Sequence, residues 1–261
     1  MQTPPPTTAL CRHTGDAIWY RERNLVEDLL GKRGFTDVLF EHILGRRLDG
    51  NETVLIDAVL VMLMEHGLTP SAIAARLTYM SSPENIQAGV AAGLLGVGSQ
   101  FIGTMEDCGA ILRAMKDSDD VALFARETAT RYREEGRAMP GFGHHLHKPD
   151  DPRAKRLLEL VREQGVAGAH VDALAVLAQA VDTAAGRHVT INATGAAAAV
   201  LGDLGVPVNA MRGFAVIARA AGLVAHLVEE REKPTGRFIW SLVDHAVPYD
   251  TARGDTKDDE S

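Results

Sequence analysis

Gly141-Phe142-Gly143-His144-His145-Leu146-His147-Lys148-Pro149-Asp150-Asp151-Pro152-Arg153 gathers three histidines, two glycines and an arginine into thirteen residues, with helix-forming sequence on either side. Glycine has no Cβ and lets a backbone approach a ligand closely. Histidine exchanges a proton near neutral pH, and arginine grips a carboxylate through two parallel hydrogen bonds. The combination suits a small anionic substrate whose oxygen must gain or lose a proton. Gly-x-Gly and a solvated histidine cluster are each common alone, so the flanks matter.

The surroundings are basic. Residues 131–156 carry Arg131, Arg133, Arg137, Lys148, Arg153, Lys155 and Arg156 against Glu134, Glu135, Asp150 and Asp151, in a chain of net charge −8. A carboxylate or phosphate substrate fits this local excess, although a solvated helix face is the commoner fate of a charge run. The overall negative charge argues against general nucleic-acid binding.

Outward from the loop the sequence reads as helix after helix. Thr69-Pro70 and Ser82-Pro83 are start signals, a capping residue followed by proline at the first helical position. Residues 53–66 form a strongly apolar helix that stops at Gly67. Further helices are expected over 24–30, 36–44, 99–115, 118–136, 152–163, 171–184, 192–204 and 209–232, with a brief extended piece at 189–191. Period-2 alternation is not evident, so the expected fold is all-α with about ten helices. Residues 1–14 and 250–261 read as flexible ends. Cys11 and Cys108 make neither a disulfide framework nor a metal spacing, which points to a reducing, cytoplasmic setting and no metal. No signal peptide is visible, and the best membrane candidate, Val54–Met64, is short and carries Asp57, so no membrane partner is expected.

The pattern Gly-Phe-Gly-His followed by Asp-Pro-Arg resembles the signature of the citrate synthase superfamily, and His144 and Arg153 have the family's nine-residue separation. The likeness covers about 15–245. Glu65-His66-Gly67 is similar to the family's Asp-His-Glu or Asp-His-Gly, and Ala218-Arg219-Ala220-Ala221-Gly222 through His226 to its Ala-Arg-x-x-Gly-Trp-x-Ala-His. An arginine inside an apolar helix is costly without a partner, which makes Arg219 a ligand candidate on physics alone. His226 reads as a satisfied structural residue. Gly93–Gly103 places Phe101 where citrate synthases carry a histidine, and looks more like the citrate synthase-like domain of ATP-citrate lyase and the short citryl-CoA lyases.

Two positions depart from the pattern. Asn192-Ala193-Thr194-Gly195 puts Thr194 where the family has its catalytic Asp, and threonine is a poor general base. Ile239 stands where the family places an arginine that reaches the partner subunit's site, with Arg237 two residues away.

The resemblance implies an all-α dimer, or a dimer of dimers. Its large helical domain would comprise 1–101 and 192–261, with a smaller helical domain, 102–191, carrying the catalytic loop. It implies an enzyme that cleaves a citryl-CoA-type thioester to acetyl-CoA and oxaloacetate, with no permanently bound cofactor and a coenzyme A thioester as substrate. His144, Thr194 and His66 would be catalytic, with His144 taking the hydroxyl proton. His66, Arg153, Arg219 and Arg237 would hold the dicarboxylate. Met139, Pro140, Gly141, Phe142 and Gly143 would cradle coenzyme A, with Arg133 or Arg137 at its phosphates. Citrate synthase-type condensation with oxaloacetate or a related oxoacid, and a non-catalytic binder of coenzyme A and dicarboxylate, are the alternatives.

Overall fold

Several helix starts in this chain are set by short polar side chains. In a computed structural model describing residues 5–166 and 168–248, the side chains of residues 100 and 101 excepted, the order begins with three short strands. These are β1 (Cys11–His13), β2 (Ile18–Tyr20) and β3 (Arg23–Asn24). A five-residue π-helical turn, Leu25–Leu29, leads into α1 (Phe35–Leu44), α2 (Gly50–Met64), α3 (Pro70–Ser81) and α4 (Ile86–Leu95). A second π-helical turn, Ser99–Gly103, precedes α5 (Thr104–Lys116) and α6 (Val121–Glu134). Then follow α7 (Pro152–Gln164), α8 (Ala169–Ala185), α9 (Ala193–Asp203), α10 (Val208–Glu232) and α11 (Gly236–Ala246). Thr69 caps α3 by accepting from the Ala72 N–H, Asp151 caps α7 through the Arg153 N–H, and Asn192 caps α9 through the Gly195 N–H. The fold is all-α, as expected.

Four expectations need correction. Ser82-Pro83 does not start a helix: Ser82 closes α3, and α4 begins at Ile86, where the Asn85 side chain accepts from the Ala88 N–H. Residues 11–13, expected within a flexible arm, form β1, paired antiparallel with β2 as Cys11 with Tyr20 and His13 with Ile18. Strands of two or three residues are too short to show a period; backbone bonds from Thr14 N–H to the Ala17 carbonyl and Arg21 N–H to the Leu10 carbonyl close the hairpin, and Arg12 stacks 3.8 Å over the Trp19 ring across it. Helix α11 was not anticipated. Its start is held by Glu230, which accepts from the Thr235 and Gly236 N–H groups rather than by a local capping side chain. Finally, α10 is long and apolar enough to cross a membrane by length and composition, which the sequence reading did not find in any segment. It buries Met211, Phe214, Leu223 and Leu227 together with Arg219, His226 and Glu230, the pattern of a core helix that also handles charge. Residues 1–4 and 249–261 lie outside the described residues.

The chain divides into two compact units, 1–63 with 99–217, and 64–98 with 218–261. Neither coincides with the expected 102–191 insert. In the first unit, α9 is central, packed by α5, α7 and α8. Its Ala193 and Ala196–Ala199 are buried, and these small side chains let the neighbouring helices approach. In the second unit α3 packs on α4 and α11 on α3. Leu227 and Leu223 fill the space that a side chain at Gly89 or Gly93 would need, completing a core with Ala72, Ala75 and Tyr79.

Candidate active-site residues

The residues singled out from sequence fall into two groups, one in each unit. In the first unit the loop 141–153 is stitched to segment 190–193. Gly143 N–H donates to the Thr190 carbonyl at 2.8 Å, and Asn192 N–H to the Gly141 carbonyl at 3.0 Å. The Asn192 side-chain amide donates to the Gly143 carbonyl at 3.0 Å. Phe142 pairs with Ile191, which bears out the expected extended piece. Gly141 has φ +83° and lies against Gly195, where an added Cβ would meet the Gly141 carbonyl oxygen at 2.3 Å. Two glycines are required here because two backbones touch. The Cys108 sulfur supports Gly141 from beneath, and burial pushes that thiol up to about 12, so it is inert.

Asp151 organises the loop. It is 1% exposed. Its Oδ1 accepts from the Arg153 N–H and Nε at 3.0 Å each, and its Oδ2 from Arg153 Nη2 at 2.8 Å and the Ala193 N–H at 3.2 Å. Burial alone would raise its carboxyl, but the bonds and charge from Arg153 hold it below its ordinary value. The Nε–Nη2 edge of the Arg153 guanidinium is thereby fixed against Asp151.

His144 Nδ1 accepts from the Leu146 and His147 N–H groups at 3.1 Å each. A neutral ring with Nδ1 engaged this way carries its proton on Nε2. Nε2 lies 3.4 Å from Arg153 Nη2. Burial lowers the His144 pKa, and the charges of His147, Arg153 and His145 add to this against Asp151, so the ring is neutral at pH 7. The loop therefore presents two N–H donors side by side. His144, His147 and Asp151 also bring potential metal ligands within 4.8 Å of one another, a grouping the sequence spacing did not suggest. A cation there would have to compete with Arg153, which already occupies both carboxylate oxygens.

Thr194 donates to Asn192 Oδ1 at 2.7 Å and lies 3.1 Å from the Thr104 hydroxyl. Its proton is spent on the helix cap. The backbone expected to cradle coenzyme A is likewise engaged internally, through Phe142 N–H to the Met139 carbonyl and the Gly141 and Gly143 bonds above. Met139 is half-buried and Pro140 buried, whereas Arg133 and Arg137 are exposed. Arg137 is paired with Glu135 at 2.8 Å and lies 4.5 Å from the Tyr132 ring centroid.

In the second unit, α10 lines up Arg219, Gly222, His226 and Glu230 at helical spacing on one face. The Met64 carbonyl, just ahead of the Glu65-His66-Gly67 turn, fits where a Cβ on Gly222 would stand, 2.1 Å away. Arg219 is 7% exposed, and its Nη1 has no hydrogen-bond partner among the described residues. Burial pulls its pKa down, with the Glu65 charge opposing. His226 is satisfied, as expected: Nδ1 faces Arg76 and Nε2 faces Glu65. His66 and Arg237 are exposed. The side chain of Phe101 lies outside the described residues. Asp151, Asn192 and Arg76 were not anticipated as site residues. The proline after Asp151, and the asparagine itself at the head of an Ala-rich helix, mark the first two as helix starts, but nothing local marks Arg76.

Comparison with known proteins gives these groups a context. Citryl-CoA lyase from Hydrogenobacter thermophilus is similar over 95% of this chain and 95% of its own, with a TM-score of 0.85 and 30% identity. ATP-citrate synthase subunit 1 of Sordaria macrospora is 25% identical over 222 residues, 78% of this chain and 32% of that protein. The chain thus spans about a third of the length of such curated relatives. ATP citrate lyase from Methanothrix soehngenii, solved with citrate and coenzyme A, shares the fold over 89% of this chain and 40% of its own, with a TM-score of 0.74 and 17% identity. The model of the citrate synthase C-terminal domain family matches residues 8–240, and the chain belongs to that family.

Proposed function

We propose that this protein is a carbon–carbon lyase acting on a citryl-CoA-type thioester, releasing acetyl-CoA and oxaloacetate. The observation that carries the acid-binding part is Arg219, a buried guanidinium whose Nη1 has no partner among the described residues and which is stabilised when a carboxylate arrives. The similarity to a citryl-CoA lyase along nearly the whole of both chains supports the reaction class. Arg153, Arg219 and His66 are assigned to the acid's carboxylates, with Arg237 as an auxiliary cation. Arg133 and Arg137 are assigned to coenzyme A phosphates, beside Met139–Gly143. No permanently bound cofactor is part of the proposal.

The tautomer of His144 changes the role expected from sequence. Nε2–H and Arg153 Nη2 are donors beside one another, a pair suited to an oxygen carrying negative charge. A hydroxyl placed there is acidified and gives its proton to solvent water, and the carbon–carbon bond breaks from the alkoxide held by both donors, leaving the oxo group of oxaloacetate. The other product is the enolate of the acetyl thioester, which takes a proton from solvent water at its methylene carbon. Thr194, with its proton committed to Asn192, positions that end of α9 rather than acting as a base. The same donor pair would polarise an oxo group in the opposite direction, so condensation of acetyl-CoA with oxaloacetate is the second reading, favoured by that symmetry.

The assay is turnover of citryl-CoA, and of oxaloacetate plus acetyl-CoA. His144→Ala lowers turnover at least about a hundred-fold. His144→Gln, which keeps an N–H near the Nε2 position, recovers part of it. Wild-type protein inert in both assays refutes the enzyme reading, and equal loss in Ala and Gln refutes the donor role.

The proposal includes a homodimer, for which the exposure of Leu95, Phe238, Trp240, Leu242 and Val243 is the structural motive. Light scattering that gave a 28.0 kDa particle would contradict it.

A further inference from the structure

We propose that Arg76, His226 and Glu65 form a positioning relay that sets the turn carrying His66, anchored at its far end on the start of α11. This rests on the reading of His66 and Arg219 as dicarboxylate-binding residues.

All its members lie in the second unit. Arg76 is 1% exposed. Its Nη1 donates to Glu230 Oε2 at 2.8 Å and to the Thr235 hydroxyl at 3.4 Å, and its Nη2 also meets Glu229. Glu230 in turn accepts from Thr235 and Gly236 N–H, so the same carboxylate that neutralises Arg76 also starts α11. Arg76 Nε and Nη2 then face His226 Nδ1 at 3.0 and 2.8 Å. An arginine has only donors, so Nδ1 must be a lone pair and the His226 proton must sit on Nε2. Nε2–H points at Glu65, 3.0 Å from Oε2 and 3.2 Å from Oε1. Glu65 Oε1 closes the chain by accepting from the His66 N–H at 2.8 Å and the Gly67 N–H at 2.5 Å.

A buried arginine could serve packing alone, bonded to its two glutamates. The direction of the remaining contacts says more. Every bond from Arg76 through His226 to Glu65 has its donor fixed by chemistry. The last acceptor holds the two N–H groups that follow α2, at the residue assigned to the substrate. Glu65 also faces Arg219 electrostatically, so one carboxylate serves both proposed binding residues. Arg76, His226 and Glu65 touch no substrate in this scheme. They act through the 65–67 backbone.

Glu65 is exposed, so its substitution leaves the core intact. Glu65→Ala and Glu65→Gln both remove the charge, but only Gln retains an oxygen for the two N–H groups. The first readout needs no ligand. Amide hydrogen exchange at His66 and Gly67 accelerates about tenfold in Glu65→Ala relative to Glu65→Gln, and nitrogen NMR of wild type shows His226 protonated at Nε2 alone. The second readout is oxaloacetate affinity by calorimetry: Glu65→Ala binds about tenfold more weakly than Glu65→Gln. In a His66→Ala background that difference falls below about twofold. Equal affinities of the Ala and Gln variants, a difference that persists without His66, or a His226 proton at Nδ1 would each overturn the relay. Wild type that binds no oxaloacetate, with exchange and tautomer as expected, would overturn the dicarboxylate reading and leave the relay supported.

Discussion

Asp151→Asn is the sharpest probe of the loop. The carboxylate is fully buried at its side chain and accepts four hydrogen bonds, three of them from Arg153. Asparagine can keep one oxygen toward the Arg153 N–H and Nε, so the cap of α7 survives. Its NH2 group must then face Arg153 Nη2 and the Ala193 N–H, donor against donor. A lost charge-assisted bond costs about 1.5–3 kcal/mol and a stranded buried N–H about 1–3 kcal/mol. Solvent relieves part of this, because the Arg153 side chain is 26% exposed. We expect a net loss of about 3 kcal/mol, read as a lower urea midpoint at unchanged slope. The pH dependence has a definite sign. A carboxyl held below its ordinary 3.8 contributes stability that is fully present above 3.8 and is lost as pH falls through the folded value. The gap between wild type and variant should therefore stay constant from about pH 8 to about pH 5 and close only below 3.8. A loss under about 0.5 kcal/mol at pH 7, within the range of an ordinary surface change, would refute the claim that Asp151 organises the site. A gap already narrowing between about pH 8 and 6 would place the linkage on another group.

Arg219→Met should raise unliganded stability by about 1 kcal/mol, because it removes a buried charge with an unsatisfied donor, while abolishing the thermal shift given by oxaloacetate; a destabilised variant that still binds would contradict this. Gly195→Ala should destabilise by about 3 kcal/mol or more, since its Cβ meets backbone that cannot give way, and a chemical melt within error of wild type would disprove the contact. In Arg153→Ala the His144 pKa, followed by proton NMR of the ring, should rise toward 6.5, because a neighbouring positive charge that lowers it is gone. A fall or no change would show that burial alone sets it.

Much of the architecture was legible because helix punctuation is local. Thr69-Pro70, Asp151-Pro152 and Asn192 carry their start signals within three residues, and the structure uses each as a cap. The pairing of His144 with Arg153 was legible as spacing. The use to which their atoms are put was not, because the tautomer depends on two backbone N–H groups and on Asp151. Helix α11 escaped because its first N–H groups are satisfied by Glu230, a residue of the preceding helix. Arg76 escaped for a similar reason: its partners lie about 150 residues away along the chain. The hairpin 11–24 was invisible to periodicity because each strand is two or three residues long.

The contact at Gly222 acts as a feeler gauge. The Met64 carbonyl rests on the helix at that point, and the clearance is the width of one hydrogen atom rather than a methyl group. Arg219 stands about one turn to one side of it and His226 about one turn to the other. Thickening the helix there by a single carbon would lift the turn bearing His66 away from both neighbours at once. One hydrogen-for-methyl exchange, far smaller than any catalytic substitution, would thus detune the charge partner of Arg219 and the anchorage of His66 together, without altering a single polar atom.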